Sequence, residues 1–348
     1  MISVLMIASV SVTTAYTYAA QSSFEYKLYS DNNKYREALD WAMYDVNKEL
    51  SPGMNDKQTY PIPGLIETTY FSKGETGTSD NYIPQGLCST GDYWLITAYD
   101  SGKKTRSVIY AVDARTKKLV STLTLPNKYH VGGIAYDGKR IWLTGDTSDK
   151  YKGDPFVQYI DYQEFLRMIK DPLYNVSKKE MSDNVVINNK PSFLECDEGK
   201  LWVGTYMGSK DSNEAYMNGY QIIEDENGVK LNTLMYSVIS GIDSSAQGCD
   251  IEGDSLYISS SYKGTSPFVR SSFITKYNIA PVKKDKPNLN VEKREVSRVE
   301  VPKMNEEILV ENGIIYINFE SGANRWENAV INTDRILAVD KSLWSKVK

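Results

Sequence analysis

The chain has 348 residues, 41% of them hydrophobic, which is enough apolar material for one large or two ordinary domains. It carries 26 Tyr against 8 Phe and 6 Trp, with a single His and 3 Cys. One imidazole and three scattered thiols exclude a His-rich zinc centre, a Cys-based zinc ribbon and a disulfide-stapled mini-domain. With 40 basic and 45 acidic residues the net charge is −5, which argues against a nucleic-acid partner held by bulk positive charge.

The first charged side chain after the start is Glu25, and an apolar run over 2–12 leads into a Thr/Tyr/Ala stretch over 13–20. This resembles a secretory signal peptide with cleavage after Ala19, although its start lacks Lys and Arg. The run is too diluted with Ser and Thr for a bilayer span of about 20 apolar residues. Residues 1–19 are therefore expected to be a signal, 20–60 a helical extension and 61–348 the main fold, on a chain exported by a bacterium to its surface or surroundings. The extension has apolar positions Tyr35, Ala38, Leu39, Ala42, Met43 and Val46 at helical spacing, which predicts one helix over 33–50 ended by Ser51-Pro52-Gly53.

Internal repetition organises the rest. Five short strands share an apolar-aromatic-apolar centre at Trp94, Trp142, Trp202, Tyr257 and Tyr316, with intervals of 48, 60, 55 and 59 residues. Three or four residues before each aromatic stands a turn glycine, Gly91, Gly138, Gly199, Gly253 and Gly313, suited to tight hairpins. Another strand precedes each turn. Third strands are expected over 108–113, 156–162, 219–224, 273–279 and 335–340, and fourth strands over 119–125, 184–189, 231–239 and 296–301. Four antiparallel strands repeated five times describe an all-β, five-bladed β-propeller. The fifth unit lacks its outer strand, and the stretch 64–72 is expected to supply it and close the ring.

The loops joining second and third strands are long, over 100–107, 147–155, 207–218, 263–272 and 321–334, and mark the face of the ring where function is expected. Counting back from each aromatic places Gln85, Gly132, Phe193, Gln247 and Glu307 at the openings of the inner strands, with the Gln and Glu side chains pointing toward the channel mouth. These groups either hydrogen-bond channel water, or hold a ligand, a metal or a reacting group. His130 leads into the same mouth in Tyr-His-Val-Gly-Gly, and Glu320, Arg325 and Trp326 lie just past the fifth aromatic strand. A carboxylate, a guanidinium and an indole suit a small polar or peptidic ligand, and equally a surface ion pair. Cys88, Cys196 and Cys249 read as buried free thiols, and the basic run 283–293 as a solvated loop. No dinucleotide fingerprint, P-loop, His-Glu-x-x-His or Gly-x-Ser-x-Gly is present.

Two resemblances follow from these residues. Pro84-Gln85-Gly86-Leu87, residues 109–113, His130-Val131-Gly132-Gly133, Phe319-Glu320-Ser321-Gly322 and Asp334-Arg335-Ile336-Leu337 together resemble exported bacterial propeller proteins without an assigned activity. Gln85-Gly86-Leu87, Asn305-Glu306-Glu307 and Thr333-Asp334-Arg335-Ile336 are similar to motifs of the plant-type glutaminyl cyclases, five-bladed propellers that convert an N-terminal Gln to pyroglutamate. That family carries Gly-Glu-Gly at its second blade, where this chain has Val131-Gly132-Gly133. A cyclase of this type would then depend on Glu307 or Glu320 for proton transfer. Three roles are thus expected: binding of a small polar or peptidic ligand, or of an extracellular protein, at the mouth through Gln85, His130, Gln247, Glu307, Glu320 and Arg325; the cyclase reaction; or a cell-surface scaffold. None involves nucleic acid or stable membrane insertion once the signal is removed.

Overall fold

The computed structural model describes residues 25–42, 48–72, 74–148, 151–208, 215–226, 228–261, 272–283, 287–329 and 331–345; the expected signal peptide lies outside them. Five antiparallel blades follow one another along the chain. Their inner strands are Tyr82–Ser89, Ile134–Tyr136, Phe193–Asp197, Ala246–Glu252 and Asn305–Glu311. Their second strands are Tyr93–Asp100, Arg140–Thr144, Lys200–Thr205, Ser255–Ser260 and Ile314–Phe319. All five turn glycines have positive φ, between 56° and 91°. At four of them, Gly91, Gly138, Gly253 and Gly313, an added Cβ would meet nothing, so backbone conformation alone reserves these positions for glycine. The five signature aromatics are at most 4% exposed; replacing one by Ala should cost about 3–5 kcal/mol.

The third strands, Val108–Asp113, Phe156–Asp161, Ala215–Asp225, Ser272–Asn278 and Arg335–Asp340, lie where the repeat puts them. Outer strands of blades 1 to 4 are Leu119–Thr124, Val185–Val186, Gly228–Ile242 and Glu295–Val301. Two further strands were not foreseen. Leu173–Asn175, reached through the helix Tyr162–Met168, adds to blade 1 in parallel, and Asn288–Asn290 adds to blade 3 in the same way. In each case the excursion leaves the next blade after its third strand, covers the edge of the preceding blade and returns. Part of the basic run read as a solvated loop is therefore a strand.

Ring closure also differs from expectation. The outer strand of blade 5 is Tyr60–Pro61, paired with Arg335 and Ile336 and extended by a bridge from Met54 to Val339. The stretch 64–72 cannot serve, because Gly64 turns at φ 78° directly under the Tyr110 hydroxyl. Thr68–Ser72 instead folds back on Glu75–Ser79 as a hairpin, and the Phe71 amide donates to Thr124 Oγ1 at 3.0 Å on blade 1. Proline in the true closing strand is tolerated because an edge strand leaves one row of N–H groups unpaired.

The N-terminal helix is Asn32–Ala42, shorter than expected, with residues 48–50 again helical and 43–47 outside the described residues. Tyr35 and Leu39 are fully buried against the ring. The motif Thr333-Asp334-Arg335 clamps this segment. Asp334 Oδ2 accepts from the amides of Leu28 (2.7 Å) and Tyr29 (3.1 Å). Arg335, fully buried and paired with Asp334 at 2.8 Å, donates to Asn32 Oδ1 and the Tyr29 carbonyl and lies 3.9 Å from the Tyr26 ring centroid. Among the described residues no helix is long and apolar enough to cross a membrane.

Candidate functional site

Inner strands begin, and second strands end, at one end of the ring, so residues at these termini from different blades meet around the channel. In blades 1, 4 and 5 the inner strand is bulged here, between Pro84 and Leu87, between Ala246 and Gly248, and between Asn305 and Ile308. A bulge reverses the in-out alternation of the side chains after it, and this decides where the expected site residues go.

Gln85 is 1% exposed and does not reach the mouth: its Nε2 donates to the carbonyl of Pro84 at 2.7 Å, and its own carbonyl accepts from Asn318 Nδ2 at 2.8 Å. Glu307, also 1% exposed, points at blade 4. Its Oε1 accepts from the amides of Cys249 (2.6 Å) and Ile308 (3.2 Å), and Oε2 has no hydrogen-bond partner. Gly248 makes room for it, since an added Cβ would stand 2.2 Å from Glu307 Oε1. Burial holds the Glu307 carboxyl well above the ordinary carboxylate range, and Asp250 adds to this. These orientations differ from the expected one, because counting residues along the strand ignores the extra bulge residue. Glu306, the neighbour of Glu307, takes the place at the mouth, and its Oε1 lies 3.5 Å from Nε2 of Gln247.

The remaining candidates converge on a residue that the sequence reading passed over. Tyr99, at the end of the second strand of blade 1, is 8% exposed. His130, exposed on the loop entering blade 2, sets its ring on Tyr99 with centroids 4.4 Å apart and planes at 57°. Burial pushes the Tyr99 phenol up; Glu320 and Glu306 push it further and Arg325 opposes them, so all three charges lie within electrostatic reach of one hydroxyl. Glu320 is 3% exposed and is anchored by its amide to the Met304 carbonyl at 3.0 Å. Arg325 is exposed, 5.1 Å from the Trp326 ring. The mouth is thus a phenol and an imidazole flanked by two carboxylates, an amide and a guanidinium, contributed by blades 1, 2, 4 and 5. Residues 209–214 and 262–271 of the loops of blades 3 and 4 lie outside the described residues. Tyr99 could have been found from the rule used for Glu320, since both sit at the end of a second strand.

Below the mouth the channel is acidic. Glu195 is held well above its ordinary range by burial, then by Asp250 and Glu307. Asp250 is pushed up to about 7, chiefly by burial, although its Oδ2 accepts from the Val310 amide at 2.8 Å. Cys88 and Cys249 are buried and Cys196 half-buried, all three free, and burial raises each thiol. Among the described residues no group of three His, Cys, Asp or Glu side chains is placed to hold a metal ion. At blade 2 the glycines are sterically required: a Cβ on Gly132 would stand 2.4 Å from the Ser192 carbonyl oxygen, and one on Gly133 2.6 Å from the Leu194 nitrogen. Blade 2 has no room for a carboxylate there.

No protein-family pattern and no curated relative matches the sequence. Among solved structures, the chain is similar to the glutaminyl cyclase of Myxococcus xanthus, at 12% identity over 81% of this chain and 96% of that one, with a TM-score of 0.42. It is also similar to a tail fiber of Staphylococcus aureus phage P68, at 11% identity over 87% of this chain and 58% of that one, TM-score 0.45. A third likeness is to the hydrazine synthase of Kuenenia stuttgartiensis, at 13% identity over 72% and 59%, TM-score 0.36. The strand pairing within the five blades makes the chain an all-β, five-bladed propeller with an N-terminal helix.

Proposed function

We propose that this protein is an exported propeller that binds a small polar or peptidic ligand at the mouth of its channel. The observation that carries the reading is the convergence on Tyr99 of His130 from blade 2 and of Glu306, Glu320 and Arg325 from blade 5, with Gln247 of blade 4 beside Glu306. Two carboxylates beside an aromatic face attract a positively charged or hydrogen-bond-donating group, while Arg325 at the rim suits an acidic or carbonyl-bearing end. Gln85 and Glu307 support the mouth from below rather than lining it. The test is a thermal-shift screen of short peptides and small polar compounds against the full chain and its His130→Ala, Glu306→Gln and Arg325→Ala variants. A ligand whose stabilising effect weakens in these variants supports the reading; ligands that stabilise all four proteins equally place binding elsewhere. Export is tested by fractionating the producing cells and sequencing the N-terminus of the mature chain.

A second reading rests on the same two carboxylates. In a cyclase reaction the α-amine of an N-terminal Gln attacks its own side-chain amide carbon. The new C–N bond replaces the one to the departing ammonia, and a carboxylate carries the proton from the amine to the leaving group. Glu306 or Glu320 would carry it here, since blade 2 has no room for an acid. Incubation with a Gln-initiated peptide, followed by mass detection of ammonia loss, decides between binding and turnover; no product from the wild type at high enzyme concentration disposes of catalysis.

A further inference from the structure

At the end of the ring opposite the mouth, where blade 5 meets blade 1, three aromatic rings surround a cation. Lys117 Nζ lies 3.1 Å from the ring centroid of Trp94, 5.3 Å from that of Tyr316 and 5.7 Å from that of Tyr60. The rings touch one another, with Tyr60 and Trp94 centroids 5.1 Å apart and Trp94 and Tyr316 4.5 Å apart. They come from three different places: Trp94 from the second strand of blade 1, Tyr316 from that of blade 5, and Tyr60 from the closing strand. A carboxylate stands beside the box, because Glu311 accepts from Trp94 Nε1 at 3.2 Å and from Ser89 Oγ at 2.9 Å. Aromatic faces arranged around one point, with a negative charge near, are the chemistry that holds alkylated ammonium groups.

We propose that Trp94, Tyr60 and Tyr316 form a binding cage for a small quaternary ammonium compound, and that Lys117 occupies this cage as a displaceable internal ligand. The chain itself shows what the cage accepts, since the occupant is an ammonium on an alkyl stem. Lys117 is half-buried on a turn whose neighbours Arg115, Thr116 and Lys118 are exposed, so its side chain can swing into solvent without disturbing a strand. Burial lowers its amine to about 8, against the opposing pull of Glu311 and Asp113, while the two phenols facing it are raised and stay neutral. A quaternary ammonium keeps its charge at any pH, whereas Lys117 must take up a proton on leaving the cage above that value, so the internal ligand holds its place better as pH rises through it.

Lys117→Gly vacates the cage without strain, because Lys117 has φ 56°, a conformation that glycine adopts freely. The probes are tetramethylammonium, choline and the neutral carbon isostere of choline, titrated into the full-length protein while the Trp94 indole N–H resonance is followed. The variant is expected to bind both cations about tenfold more tightly than the wild type, which must first release Lys117, and to ignore the neutral isostere. Wild-type affinity should fall as pH rises past about 8, and that of Lys117→Gly should not. Adding Tyr316→Leu should abolish binding in a variant whose near-ultraviolet dichroism shows it still folded. Absence of saturable binding by Lys117→Gly, equal binding by the wild type, or equal binding of the isostere would each overturn the proposal.

Discussion

The inner strands of blades 1, 4 and 5 are bulged where they open toward the mouth, and those of blades 2 and 3 are regular. The regular pair forms a packed wall: Gly133 of blade 2 lies flat against the backbone of Phe193 and Leu194 in blade 3, with no polar side chain between them. The bulged three instead send hydrogen bonds out of their own sheet. Glu307 reaches the Cys249 amide, Asp250 the Val310 amide, and Asn318 the Gln85 carbonyl. An inner strand is the edge of its own sheet, so some of its backbone groups face away from the ladder and must find partners elsewhere. Here the partners are side chains of the neighbouring blade. These side-chain contacts to backbone are consequently concentrated between blades 4, 5 and 1, with Glu195 of blade 3 adding a further raised carboxyl beside Asp250 and Glu307.

Breaking the packed wall should have the largest effect. Gly133→Ala would put a Cβ 2.6 Å from the Leu194 nitrogen and 2.7 Å from Phe193 Cα, and backbone cannot move aside as a side chain can. A loss of about 3 kcal/mol is expected in denaturant unfolding; a loss below about 1 kcal/mol would show that the blades slide freely.

On the bulged side, Glu307→Ala should cost about 2 kcal/mol, because it strands the buried amides of Cys249 and Ile308. Glu307→Gln keeps an acceptor at Oε1 and should be close to neutral. Equal losses in the two variants would mean that Glu307 acts by volume rather than as a hydrogen-bond acceptor.

The same carboxyls make stability depend on pH. Asp250 titrates at about 7 when folded, against 3.8 for an ordinary Asp, so between these values the folded chain holds a proton that the unfolded chain has released. Its contribution is fully present below pH 3.8 and is lost as pH rises through about 7, at up to about 1.4 kcal/mol per pH unit. Glu195 and Glu307 are shifted in the same direction and add to the decline. Asp250→Asn can still accept from the Val310 amide, and should flatten the Asp250 part of the curve measured by thermal unfolding. An unchanged slope in this variant would remove Asp250 from the account.

The smallest effects on folding belong to the mouth. His130→Ala and Arg325→Ala remove exposed side chains and should change stability by less than about 0.5 kcal/mol, so any loss of ligand binding in them reports on the site itself. A larger destabilisation would show that the mouth is part of the ring's framework.

The spacing of Trp94, Trp142, Trp202, Tyr257 and Tyr316, and the glycine before each, determined the number of blades and the position of every second and third strand. Both signals are local: an aromatic that must be buried on a pleated surface, and a backbone turn that only glycine adopts cheaply. Residues 64–72 look as strand-like as Tyr60–Pro61, and only the tertiary structure, through Gly64 packed under Tyr110, decided which of them closes the ring. The channel mouth was legible in part. His130, Gln247, Glu320 and Arg325, read from loops and strand ends, lie at one end of the ring. A single bulge residue then exchanged Glu307 for Glu306 and turned Gln85 inward, and Tyr99 was joined to His130 only by the approach of two blades. Strand register at a bulge depends on hydrogen bonds to a neighbouring blade, which is distant in sequence, so the repeat could fix the scaffold while the placement of its polar side chains required the closed ring.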